Sequence, residues 1–151
     1  MGLKSQKASL KIKKGELPKN IGCSSDQHPV FSFRYMTSNA DHSIAFIQAY
    51  DSNEQLKTLQ GLYEAFEKIS SKSWMHWGSL PKKICYEMIE YSMLNFTAAS
   101  DAGLTGDTKM NIFRFDTHLG NGKGRIIGFK DSPCSAFNVI GYDFDFSAYS
   151  H

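Results

Sequence analysis

MNIFRFD (residues 110–116), THLGNGK (117–123), GRIIGFK (124–130), DSPCS (131–135) and AFNVIGYDFDFSAYSH (136–151) follow one another at the C-terminal end of the chain. Three runs rich in Ile, Val, Phe and Tyr are separated by two short clusters of Gly, Asn, Asp, Ser and Pro. That pattern predicts three consecutive antiparallel strands joined by tight connections. β-branched and aromatic side chains fit a pleated, half-buried surface, and Gly or Asn supplies the positive φ of a short hairpin turn. Gly120-Asn121-Gly122-Lys123-Gly124 has the composition of a phosphate loop. It lacks the GxxxxGK[ST] spacing and no helix follows, so a hairpin turn is the better reading.

Working back from this meander, Thr97–Thr108 is small, polar and Gly-containing, as a loop would be. Pro81–Phe96 fits either a helix, through Ile84, Met88, Tyr91 and Leu94, or a strand through Cys85–Ile89. Trp74 and Trp77 fall at i, i+3 in a short helix stopped by Gly78 and Pro81. The clearest helix precedes it. Ser52 with Gln55 reads as a capping box, and Leu56, Leu59, Tyr63, Phe66 and Ile69 form one apolar stripe. Ile44–Tyr50 is ambiguous between strand and helix, and Val30–Met36 has strand composition. The expected architecture is α+β: a helical hairpin packed on a small antiparallel sheet, with an N-terminal extension. Residues 1–28 are expected to be a basic arm or edge strand, and residues 29–151 a single domain.

At 151 residues, with 41% hydrophobic and 21% charged side chains, the chain can bury a core and is not disordered as a whole. No apolar run reaches the ~20 residues of a membrane span. Cys23, Cys85 and Cys134 are odd in number and lack CxxC spacing, which fits reduced thiols in a cytoplasm. The net charge of +2 conceals an asymmetry. Residues 1–20 hold six lysines against one glutamate, whereas the remainder holds eleven basic and fourteen acidic side chains. Such an arm could bind phosphates or be a solubilising terminus.

The five histidines lack ligand spacing, so neither a metal site nor a cofactor is expected. What remains is a set of polar groups on the predicted strands and tail. Arg114, Arg125 and Lys130 lie on adjacent strands, and Tyr142, Asp143, Tyr149 and His151 follow. Metal-free phosphodiester cleavage needs a base for the ribose 2′-hydroxyl, a cation for the developing charge and an acid for the leaving oxygen. These residue types supply all three. The competing reading makes Arg114 and Asp143 or Asp145 a cross-strand ion pair and leaves the tyrosines half-buried. Trp74 and Trp77 are read as core in preference to base-stacking platforms.

Two helices followed by GRIIGFK and FNVIGYDFDFSAYSH resemble the RelE/ParE toxin superfamily, which includes the HigB and YoeB ribonuclease toxins, over about residues 54–151. The resemblance implies a bacterial or phage cytoplasmic endoribonuclease that cleaves mRNA on the ribosome under the control of a small antitoxin protein. Arg125 matches the family's strand arginine, and Tyr149 and His151 match its terminal Tyr and His. With Arg114 these are the expected catalytic residues. Lys130 and Lys123 are the expected RNA-binding cations. ParE-like members share the fold without cutting RNA, so the alternative is a phage or mobile-element protein that inhibits a host or defence protein.

Overall fold

Five strands form one mixed sheet in the order β1-β5-β4-β3-β2. The computed structural model describes residues 27–81, 85–131 and 136–150. The elements are β1 (Val30–Ser32), α1 (Ser52–Ser70), α2 (Trp74–Ser79), β2 (Tyr86–Glu90), β3 (Lys109–Asp116), β4 (Lys123–Lys130) and β5 (Ala136–Asp143). The class is α+β. The sheet is larger than the three C-terminal strands: β2 adds to β3 antiparallel, and β1 adds to β5 in parallel. Cys85–Ile89, left open between helix and strand, is largely strand. Ile44–Ala49 is a 3-10 helix, and only three residues of Val30–Met36 are strand. Of the basic arm or edge strand expected over residues 1–28, residues 1–26 lie outside the described residues. Among the described residues, no helix is long and apolar enough to cross a membrane.

Both sheet faces are covered, so β4 and β5 are buried along most of their length. On one face, Phe113, Ile126, Phe137 and Val139 pack against Leu62, Ala65 and Ile69 of α1 and against Trp74 and Trp77 of α2. On the other, Met110, Ile112, Ile127, Phe129 and Ile140 lie under Phe96, Ala148 and Tyr149, which belong to loop and tail. A bulge at Ile140–Gly141 lets Ile127 pair with Gly141 while Gly128 pairs with Val139. A side chain at Gly141 would meet the Phe96 ring at 2.8 Å.

Helix α1 begins one residue earlier than its sequence suggests. Asp51 accepts the Glu54 amide at 2.9 Å, and Glu54 returns the contact to the Asp51 amide at 3.1 Å. More consequentially, the inward stripe overlaps the expected one only at its C-terminal end, where Ile69 is buried and Phe66 packs against the core. Its buried residues are Thr58, Gly61, Leu62, Ala65 and Ile69. Leu56, Leu59 and Tyr63 from the expected core stripe are 66%, 44% and 64% exposed. The reason is proximity. A Cβ on Gly61 would lie 1.9 Å from the Asp116 carbonyl oxygen, so only glycine at this position lets the helix sit flush on β3.

Candidate functional site

The loop-covered face carries a row of four charges across four strands. Strand pairing sets Arg114 of β3 opposite Arg125 of β4, and Arg125 opposite Asp143 of β5. Glu87 of β2, opposite Ile112, lies diagonally from Arg114. The order across the sheet is thus anion, cation, cation, anion. Two adjacent guanidiniums repel, and each is held by the carboxylate on its outer side. Arg125 Nη1 donates to Asp143 Oδ2 at 2.8 Å with both side chains at 0% exposure. Arg114 Nη2 donates to Glu87 Oε1 at 3.2 Å, with side chains 24% and 10% exposed.

The tail seals this row. Beyond β5 the Ser147 amide donates to Asp143 Oδ1 at 2.9 Å, which turns the chain back over the sheet. The Asn95 side chain donates to the Ser147 carbonyl, and the Asn95 amide donates to the Ala148 carbonyl at 2.9 Å. Phe146 takes φ of 64°, rare for a bulky residue. Its ring stands 3.9 Å from the Arg125 guanidinium carbon, and the Tyr149 ring 4.2 Å from it. A desolvated cation against such ring faces gains about 2 kcal/mol per contact. The Tyr149 hydroxyl then donates to Glu87 Oε1 at 2.5 Å. Burial pushes the Tyr149 pKa up, the bond to Glu87 adds to that, and the two arginines oppose it. The phenol therefore keeps its proton.

Of the residues singled out in the sequence, Arg114, Arg125 and Tyr149 converge. Arg125 nevertheless has no exposed surface, so a role as an accessible phosphate cation does not fit its burial. Lys130 lies on the helical face, its Nζ 5.3 Å from the Trp74 ring, and does not join the row. Lys123 is paired with Asp116 at 3.1 Å at the start of β4. His151 and Cys134 lie outside the described residues. Trp74 and Trp77 are core residues, and the Trp77 indole donates to the Ile69 carbonyl at 3.1 Å. Arg114 makes its cross-strand ion pair with Glu87, and the pairing with Asp143 offered to it belongs to Arg125.

Glu87 was the group missed. It sits in the stretch whose helix-or-strand identity the sequence left open, so its alignment with Arg114 had no local signal. A second polar group also went unseen. His118 Nε2 lies 2.7 Å from Glu64 Oε2, and the His118 amide donates to Asp116 Oδ1 at 2.8 Å, beside Lys123. Hydrogen bonding from Gln60 and His118 holds the Glu64 pKa low. Among the described residues, no group of three or more His, Cys, Asp or Glu is placed to hold a metal ion. Comparison with family models, with curated proteins and with solved structures returned no match to this chain.

Proposed function

We propose that the protein is a toxin-type, metal-free endoribonuclease of RelE-like architecture, whose reacting groups are Glu87, Arg114 and Tyr149. The observation that carries this reading is the meeting of a carboxylate, a partly exposed guanidinium and a protonated phenol at one point of the sheet. Glu87 takes the proton of a ribose 2′-hydroxyl, whose oxygen attacks the adjacent phosphorus. Arg114 holds the nonbridging oxygens as charge develops. The bond to the 5′-oxygen breaks, Tyr149 protonates that oxygen, and a 2′,3′-cyclic phosphate remains. Glu87 then holds one proton too many and Tyr149 one too few. The hydrogen bond between them is the return path. Arg125 and Asp143 position the tail and through it Tyr149. RNA, free or on the ribosome, is the substrate in this reading, and a small protein partner restrains the activity.

Induction in bacteria tests it. Growth arrest should accompany RNA fragments ending in a cyclic phosphate, and Glu87→Gln or Arg114→Ala should lower cleavage by about 10²-fold or more. Intact RNA on inducing the wild-type chain would sink the activity. A non-enzymatic interaction protein is then the reading left. The exposed Leu56–Leu59–Tyr63 face of α1 favours that alternative, since apolar side chains at helical spacing suit protein contacts.

A further inference from the structure

Strand β2 ends the sheet, and among the described residues no strand lies beyond it. Its bonds to β3 fix which backbone groups face inward. The Arg114 amide donates to the Cys85 carbonyl at 2.9 Å, and the Tyr91 amide donates to the Thr108 carbonyl at 2.9 Å. In an antiparallel ladder the inward groups belong to alternate residues, here Cys85, Glu87, Ile89 and Tyr91. Tyr86, Met88 and Glu90 therefore turn both N–H and C=O outward. Proteins usually guard such an edge with proline, a bulge or free charge. Strand β2 has no proline, and its register with β3 runs unbroken. Both of its carboxylates are engaged, Glu87 by Arg114 and Tyr149 and Glu90 by Lys109 at 2.9 Å. Met88, at the centre of the strand, is 60% exposed, and it lines one shallow concavity with the equally exposed Met75 of α2.

We propose that a second copy of this chain docks on this edge, β2 against β2 and antiparallel, about a two-fold axis at Met88. Both sheets then become one. In this register Met88 meets Met88 of the second copy, and Tyr86 meets Glu90 of the second copy. Every outward residue of β2 thus enters a hydrogen-bonded pair, and each such pair exchanges two backbone bonds. Like charges do not meet, because Glu87 falls opposite Ile89 of the second copy. Neighbouring registers are worse. An axis at Glu87 or Glu90 sets a carboxylate against its own copy. An axis at Tyr86 or Ile89 runs one end of β2 past the end of its partner. About the Met88 axis the two exposed thioethers lie side by side on the helix-covered face, and such flexible side chains repack readily against one another. On the other face, Ile89 of the second copy covers the side of Glu87 turned away from Arg114. Five residues a side bury less than a permanent dimer does, so the association depends on concentration. It stands independently of the ribonuclease reading.

Sedimentation velocity of the whole chain over a concentration series, with its thiols kept reduced, should show a monomer–dimer equilibrium. Met88→Lys sets like charges opposite one another on the axis. Met88→Pro removes an outward N–H, which an edge strand tolerates. Each should weaken the dimer by about tenfold or more. Leu59→Lys, on the exposed face of α1, should leave it unchanged. Amide exchange of the wild type locates the contact without any variant. The Tyr86, Met88 and Glu90 amides should slow as the dimer forms, while those of Glu87 and Ile89 are slow at every concentration. A chain that stays monomeric, or a dimer indifferent to both Met88 variants, would overturn the proposal. Edge amides already slow in the dilute monomer would overturn it too, since the chain would then be covering its own edge.

Discussion

Arg114 and Arg125 face one another across β3 and β4 on the same sheet face, Arg114 paired with Glu87 and Arg125 with Asp143. Their surroundings nevertheless assign them different work. Arg125 is enclosed by Asp143 and two aromatic rings and has lost all contact with water. Its pairing is obligatory, because an ion left alone in such a place cannot recover its hydration. Arg114 stands one strand nearer the edge, where β2 is short, and keeps part of its guanidinium exposed. Centrality in the sheet, not residue type, separates the fully buried cation from the partly exposed one.

The sharpest way to break this contrast is to remove each carboxylate in turn. Asp143→Ala strands a buried guanidinium and releases the Ser147 amide from its acceptor, so it should cost about 3–5 kcal/mol of stability. Glu87→Ala leaves Arg114 able to reach water, and the loss should be nearer about 1.5–3 kcal/mol. Denaturant titration of the two variants measures the difference. Equal losses would mean that Arg114 is as structural as Arg125, and the contrast would collapse.

A weaker lever is alkaline pH, acting through the tail. The Tyr149 pKa is raised above the ordinary 10.0 of a tyrosine, chiefly by burial. Above that ordinary value the unfolded chain gives up this proton while the folded chain retains it. Folding stability is therefore lost as pH rises from about 10 toward the folded-state pKa. Tyr86 and Tyr142, each pushed up to about 12 by burial, contribute to the same decline. Tyr149→Phe should flatten part of it, as read from unfolding midpoints at successive pH values above neutrality. An unchanged alkaline slope would show that the ring over Arg125 is not sealed from solvent in solution.

Much of this arrangement was written in the last two strands. Arg125 and Asp143 both stand in these strands and the aromatic tail lies where a cover could form, but plain alternation puts Asp143 on the face of Phe137 and Val139, and only the bulge turns it to the face of Arg125. The competing reading offered Asp143 or Asp145 to Arg114, whereas Asp143 meets Arg125, in a register that depends on a bulge at Ile140–Gly141 that no local signal marks. Glu87 was illegible for a different reason: its strand exists only through pairing with β3. Helix α1 misled in a third way. Its apolar residues cover more than one face, and Leu56, Leu59 and Tyr63 were taken for core along with Phe66 and Ile69, which do pack inward. Close contact at Gly61 turns the line Thr58–Gly61–Leu62–Ala65–Ile69 inward. Periodicity identifies a face, but interhelix or helix-to-sheet distance decides which face turns inward.

That last reversal carries the smallest expected effect, and it sharpens the distinction between sealed and open positions. Leu59 is 44% exposed and Leu62 is 5% exposed, three residues apart on one helix. Leu62→Ala should cost about 2–5 kcal/mol, as truncation in a packed core does. Leu59→Lys should change stability by no more than about 0.5 kcal/mol, as at most exposed positions. Thermal unfolding of the two single variants decides between the stripes. A large loss for Leu59→Lys would mean that the outer face of α1 is covered in the isolated protein. A negligible one, together with failure of the variant to be restrained by a co-expressed partner, would show that this face is kept apolar for contact and contributes nothing to the core.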